Sequence, residues 1–404
     1  MAALHYLNLG HENAILTQSP YYHAPENVRR MMADLSFLPA WYGDAADKVL
    51  VEKALDAEFM HTIAPCNSML AKPIVCNSDE LSKNNLDELN AAPWGLSPQS
   101  IHFFNTLKKK HNYPLIVPTW HADYYLLCSR KTAAICLEGA LNKLNRSIDH
   151  EIIPTFCLTI NEVEQYTATN QSPYLLKAPF SSSGRGLVWV YNKEIAVDKK
   201  QYISGILKKQ GYISIEPVLN KLIDFAMEFY ADGKGNVNYV GLSLFNTATQ
   251  GGYTGNFVGE QTDITEKLSH WIDINTLNQV RNAIEAQLKL NYATRYQGYL
   301  GVDMMIYQVG EGEYKIHPCV EINMRYTMGL VALRLSDKVV QTGFTGQFNI
   351  SYYRDKGEAL TMHHAMQKQH PAQFKAGKLC AGYLNLCPID KDTSYCAMLL
   401  ISNV

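Results

Sequence analysis

Residues 316–325 constrain the fold more tightly than any other stretch of this chain. They read Ile-His-Pro-Cys-Val-Glu-Ile-Asn-Met-Arg. From Val320 onward apolar and polar residues alternate: Val320, Ile322 and Met324 against Glu321, Asn323 and Arg325. Successive side chains of a β-strand point to opposite faces, so this pattern predicts a strand with one apolar face and one face bearing a carboxylate, an amide and a guanidinium. Such groups suit a cation with oxygen ligands and an anionic partner such as phosphate. Residues 301–309 form the preceding strand, apolar except where Asp303 interrupts it, and Gly310-Glu311-Gly312 makes the turn. Counting register from that turn sets Asp303 opposite Glu321. Two carboxylates and an amide oxygen, without His or Cys, favour Mg²⁺ or Mn²⁺ over zinc. Arg325 has the forked donors to hold a phosphate. His317 reads as a residue that supports the ligands from behind or packs, rather than as a metal ligand itself.

The 404 residues suffice for two or three domains with real cores. Residues 1–128 alternate short apolar strands (48–51, 72–76, 114–118) with helical stretches (25–35, 98–110). That alternation predicts an α/β domain with a parallel sheet covered by helices. Residues 129–210 hold a helix over 131–144 and two strands, 174–178 and 187–191. Residues 211–335 hold a strand at 213–219, a hairpin from 224 to 245, an amphipathic helix over 274–290 and the hairpin described above. Residues 336–404 read as a mixed C-terminal extension packed on the core.

The strands 174–178 and 187–191 bracket Ser181-Ser182-Ser183-Gly184-Arg185-Gly186, with Lys177 just before. Glycines let a backbone approach a ligand, and serine hydroxyls and N–H groups cradle phosphate oxygens. The loop joins two strands instead of opening a helix and lacks GxxxxGK[ST], so it is no Walker loop. It reads as a flap closing over a nucleotide. Further on, the strand containing Glu216, Val218 and Leu219 offers backbone groups to an adenine ring, and Asp224 or Glu228 a carboxylate to ribose hydroxyls. The Gly-rich stretch 251–256 is a candidate for substrate contact.

Composition narrows the function classes. A formal net charge of −2 argues against nucleic acid as a partner. No apolar run approaches membrane-spanning length and the start lacks signal-peptide character, so no membrane partner is expected. Nine scattered cysteines without CxxC fit a reducing cytoplasm with buried thiols. His363, His364 and His370 lack metal spacing and read as solvated. No GxGxxG follows the first strand, which disfavours a dinucleotide oxidoreductase.

Taken in order, these features resemble the ATP-grasp superfamily over about residues 129–335. Leu176-Lys177-Ala178-Pro179 with Ser182-Ser183-Gly184-Arg185-Gly186 is similar to that family's flap, Glu321-Ile322-Asn323-Met324-Arg325 to its magnesium strand, and Gly301-Val302-Asp303 to the strand beside it. The resemblance rests on the ordered set. It implies a Rossmann-like pre-ATP-grasp α/β domain followed by an α+β ATP-grasp module, with ATP and Mg²⁺ (Mn²⁺ the alternative) as cofactors. It implies that Lys131 and Lys177 contact phosphates, with Arg130 standing where the family usually has Asp. Ser182, Ser183, Gly184 and Gly186 would cover the nucleotide, Glu216, Val218 and Leu219 would meet adenine, and Asp224 or Glu228 the ribose. Asp303, Glu321 and Asn323 would bind the metal, and Arg325 would stabilise the transferred phosphoryl group. The activity implied is ligation of a small carboxylate to an amine, an amino acid or peptide among the candidates. A kinase or dikinase and a non-catalytic ATP-binding protein are the rival readings. A homodimer is left open.

Overall fold

The computed structural model describes all residues except 77–87, 145–149, 171–172, 182–183, 185, 249–250 and 403–404. The chain divides into two compact units. Unit 1 comprises 1–121, 254–264 and 325–404; unit 2 comprises 122–253 and 265–324.

Unit 1 contains the expected parallel sheet. Its strands are β1 (Ala3–Tyr6), β2 (Lys48–Val51), β3 (Lys72–Val75), β4 (Leu89–Pro93) and β5 (Leu115–Ile116), in the order β3-β2-β1-β4-β5. The sequence pattern identified β2, β3 and β5. It did not identify β1, the central strand, or β4 beside it. The helix Pro98–His111 follows β4 and starts where Ser97 and Ser100 cap one another, with Pro98 at its first position.

Unit 2 opens with the short helix Asp123–Leu127, and the helix Arg130–Leu141 after it packs on the helix Ile274–Asn291. Gly139 permits the approach, because a Cβ there would fall 2.3 Å from Gln287 Oε1. A small antiparallel sheet follows, of β6 (Thr155–Cys157), β7 (Tyr174–Lys177), β8 (Leu187–Val190) and β9 (Ile213–Pro217), ordered β6-β9-β7-β8. Val163, Leu176, Val188, Ile203, Ile213 and Ile215 form its core. Next come β10 (Asn220–Asp232) and β11 (Val237–Thr247). After β12 (Tyr253–Val258) the chain forms β13 (Gln297–Gly310) and β14 (Glu313–Asn323). In unit 2 the order is β14-β13-β10-β11, all antiparallel.

Unit 1 is completed by β15 (Thr345–Tyr352), β16 (Gln373–Lys375), β17 (Lys378–Asn385) and β18 (Tyr395–Ser402), with β12 pairing β15. One hydrophobic cluster holds Trp41 and Val49 together with Val331, Phe348, Leu384 and Leu399. Trp41 donates its indole N–H to the carbonyl of Leu386 at 2.6 Å. His363, expected to be solvated, is buried, its Nδ1 2.9 Å from the Tyr383 hydroxyl. None of the nine cysteines forms a disulfide. Among the described residues no helix is long and apolar enough to cross a membrane.

Candidate functional site

The hairpin β13–β14 pairs Asp303 with Glu321, Val302 with Ile322 and Gly301 with Asn323. The register counted from the turn therefore held, although the strands are irregular. β14 takes four steps from His317 to Glu321 where β13 takes two, from Met305 to Asp303. Pro318 lies within those four and brings no N–H to the ladder. The irregularity brings Val320, expected on the covered face, to line the same cavity as Glu321. Asn323 donates its amide to Asp303 Oδ2 at 3.2 Å.

That cavity lies wholly within unit 2. Its polar lining includes Arg130, Lys177, Ser181, Glu216, Lys221, Asp224, Thr247, Asp303, His317 and Glu321, with Val218, Leu219, Gly184 and Gly251 beside them. Lys177 ends β7 opposite Ser214, so Glu216 is its diagonal neighbour on the same face of the sheet. Lys177 and Glu216 form an ion pair, buried at 5 % and 7 % exposure. His317 is fully buried there. Burial, and then the Lys177 charge, push its pKa down to about 3, so the imidazole is neutral. Its Nδ1 accepts from the Cys319 N–H at 3.4 Å, which leaves the proton on Nε2.

Asp224 accepts from Thr247 Oγ1 at 2.7 Å and pairs with Lys221. Lys221 and Thr247 were not anticipated. Lys221 was visible as a cation three residues from Asp224, whereas Thr247 reaches it only through the β10–β11 pairing. Glu228 lies four residues further along β10, about 13 Å away at strand rise. It is buried beside Ser243 Oγ at 3.4 Å, outside the cavity lining. Val218 spends its N–H on the carbonyl of Pro173 at 3.1 Å.

Of the two adjacent cations 130 and 131, the cavity takes Arg130. Its Nε donates to the Ala178 carbonyl at 2.9 Å, and its Nη2 lies 3.4 Å from both Ser181 Oγ and Glu321 Oε1. Lys131, one position on and so about 100° round the helix, is exposed and stands 4.6 Å from the Tyr212 ring centre. In the flap, Gly184 and Gly186 have φ of +73° and +82°. Gly184 lines the cavity, while the Gly186 carbonyl accepts from the Ala178 N–H at 2.9 Å and closes the flap's base. Ser182, Ser183 and Arg185 lie outside the described residues.

Arg325 differs most from expectation. β14 stops at Asn323, so Arg325 does not share a strand face with Glu321 and Asn323. It groups with unit 1, where its Nε donates to Glu12 Oε1 at 2.8 Å. Burial raises the pKa of Glu12, but the Arg325 and His11 charges outweigh that and hold it well below the usual carboxylate range.

Among the described residues no group of three or more His, Cys, Asp and Glu side chains is arranged to hold a metal. Asp303 and Glu321 face one another with the Asn323 amide on Asp303, and this oxygen set fits a hard cation with open positions.

No protein-family profile matches the chain, and no curated protein does. Solved structures do. The biotin carboxylase domain of Hydrogenobacter thermophilus 2-oxoglutarate carboxylase, in complex with MgADP, ADP and bicarbonate, has a TM-score of 0.51 at 9% identity over 100% of this chain and 86% of its own. Campylobacter jejuni biotin carboxylase, as a β-γ-ATP complex, has 0.51 at 12% over 100% and 88%. N5-carboxyaminoimidazole synthetase from Staphylococcus aureus, complexed with ADP, has 0.48 at 12% over 100% and 94%. The first two show the fold: this chain has the ATP-grasp fold.

Proposed function

We propose that this chain is an ATP- and Mg²⁺-dependent ligase that joins a small carboxylate to an amine through an acyl phosphate, releasing ADP and phosphate. One observation carries the reading. A single cavity gathers Lys177 and Arg130, the strand segment 216–219 and the facing carboxylates Asp303 and Glu321. The complexes of the two biotin carboxylases with adenine nucleotides support it through the shared fold.

A carboxylate is a poor electrophile until phosphorylation gives it a good leaving group. The protein's task is then to hold the triphosphate in line and neutralise its charge. Lys177 does this from a buried position, where low dielectric strengthens each charge interaction. Arg130 takes the place first assigned to Lys131. Asp303, Glu321 and Asn323 would hold magnesium, which supplies further neutralisation of phosphate charge when bound. Neutral His317 adds no charge and offers its Nε2–H. Asp224, fixed by Thr247, is the ribose partner in this reading, with the aliphatic parts of Val218 and Leu219 against the base. Gly184 closes the flap, and Gly251 lies beside it as the nearest candidate for substrate contact. Arg325, held by Glu12 within unit 1, is not assigned to the phosphoryl group in this reading. Cysteines held as thiols support a reducing, cytoplasmic setting.

The test is ATP consumption with Mg²⁺ over panels of carboxylates and amines, with ADP, AMP and phosphate each measured. ADP and phosphate should appear in equal amounts and require both substrates. Glu321→Gln should slow turnover by on the order of a thousandfold with an unchanged melting temperature. AMP as product would replace the ligase with a dikinase. A phosphorylated product without an amine would make the chain a kinase, and ATP binding without turnover on any panel would leave a binding protein.

A further inference from the structure

Arg130 begins the helix Arg130–Leu141 and is 8 % exposed. Its Nε–Ala178 bond, at 2.9 Å, is firm. Its Nη2, in contrast, divides between Ser181 Oγ and Glu321 Oε1, both at 3.4 Å. One nitrogen shared by two acceptors at that length holds neither strongly. The guanidinium is thus pinned at one end and loosely held at the other. What it holds loosely is a carboxylate that faces Asp303 across the hairpin.

The charges around the cavity give this pair a consequence. Among the described residues its lining has three cations, Arg130, Lys177 and Lys221, and four carboxylates, Glu216, Asp224, Asp303 and Glu321. Each cation already has a carboxylate: Lys177 with Glu216, Lys221 with Asp224, Arg130 with Glu321. The set carries one net negative charge and repels a polyphosphate. A divalent cation at Asp303 and Glu321 reverses that sign. It also takes from Arg130 the weakest of the three pairs, since two charges in direct contact outcompete one at 3.4 Å.

We propose that Arg130 is a placeholder for the metal: it occupies Glu321 in the cation's absence, yields the carboxylate when a divalent cation arrives, and turns its guanidinium about Nε onto the nucleotide's phosphate. Nucleotide affinity is thereby made conditional on metal. The proposal rests on the metal and nucleotide reading above, and Arg130 touches the nucleotide in it directly.

The test uses the full-length chain with Mn²⁺ alone, followed by the free-ion electron paramagnetic resonance signal, and then ADP by calorimetry with and without Mg²⁺. Arg130→Met removes the competitor and should bind Mn²⁺ roughly five- to tenfold more tightly than the parent, the scale of one partly exposed ion pair. It should also bind ADP more weakly in Mg²⁺. A gain in metal affinity is not something a damaged fold produces. If Arg130→Met does not fold, Arg130→Lys serves, because a shorter point charge holds Glu321 less well and should also tighten Mn²⁺. Glu321→Gln is the control and should lose Mn²⁺. If it does so while the folded Arg130 variant binds Mn²⁺ no better than the parent, the placeholder is overturned and the metal site stands. If Glu321→Gln binds Mn²⁺ as the parent does, or the parent binds neither Mn²⁺ nor ADP, the underlying reading fails and the placeholder falls with it.

Discussion

Lys177 shows how an isolated letter of sequence acquires a chemical setting. Its position before a Ser/Gly loop was legible, and so was its suitability for phosphate. Its ion pair with Glu216 was not, because Glu216 lies 39 positions away and reaches it only through the β7–β9 register. The same holds for Arg130 and Lys131: both letters were visible, and the phase of the helix decided which one faces the cavity. His317 gives a pH prediction. Its folded pKa, about 3, lies below its ordinary value near 6.5. Between those values the unfolded chain binds the extra proton, so acid favours unfolding. Stability from this site is complete above about pH 6.5 and falls with acidification, by up to about 1.4 kcal/mol per pH unit. Denaturant melts at pH 7 and pH 5 should show a smaller loss in His317→Gln than in the parent. Equal losses would contradict the neutral, buried imidazole.

Elements with local patterns were the most legible. The hairpin β10–β11 and the helix Ile274–Asn291 lie where turn glycines and apolar periodicity put them. In β13–β14 the facing of Asp303 and Glu321 followed from counting, but the end of the strand at Asn323 did not. Alternation continues to Arg325 in the letters, whereas the chain there leaves the sheet and Arg325 meets Glu12. The flap adds a constraint that composition alone leaves vague. Gly184 has a φ of +73°, and a Cβ on it would lie 2.9 Å from the Gly251 carbonyl carbon. Gly184→Ala should cost about 1–2 kcal/mol from the left-handed backbone alone and weaken nucleotide binding. Gly205 in the helix Val197–Gln210 has open space around its Cβ position. Gly205→Ala should raise stability by about 0.5–1 kcal/mol. Paired thermal melts and ADP titrations check both, and a Gly184→Ala variant with parental values on each would remove the glycine requirement.

On the scale of the whole molecule, sequence order and compact units diverge. Residues 325–404 share unit 1 with 1–121, and Trp41, Phe348, Leu384 and Leu399 belong to one cluster. Leu399, fully buried in β18, should therefore govern the N-terminal sheet as well. Leu399→Ala is expected to cost about 2–5 kcal/mol. Proteolysis of that variant should release fragments from within 1–121 sooner than from 122–253. Cleavage confined to the region after 336 would instead make the C-terminal segment a separate layer. The inner strands β1 and β4 were illegible for a related reason. Ala-Leu-His-Tyr and Leu-Asn-Ala-Ala-Pro have weak strand propensity. They are strands because β2 and β5 pair on either side of them.

By itself the sequence determined the local periods, the turn glycines, the parallel-sheet character of the first domain and the register that faces Asp303 with Glu321. Each depends on residues close in the chain or on a count from one turn. Tertiary structure alone decided that Lys177 pairs with Glu216, that Arg130 holds Glu321 and that Arg325 turns to Glu12. It also joined the last eighty residues to the first. These pairings cross tens or hundreds of positions, and only burial and hydrogen bonding in the folded chain select among the charges that could have met.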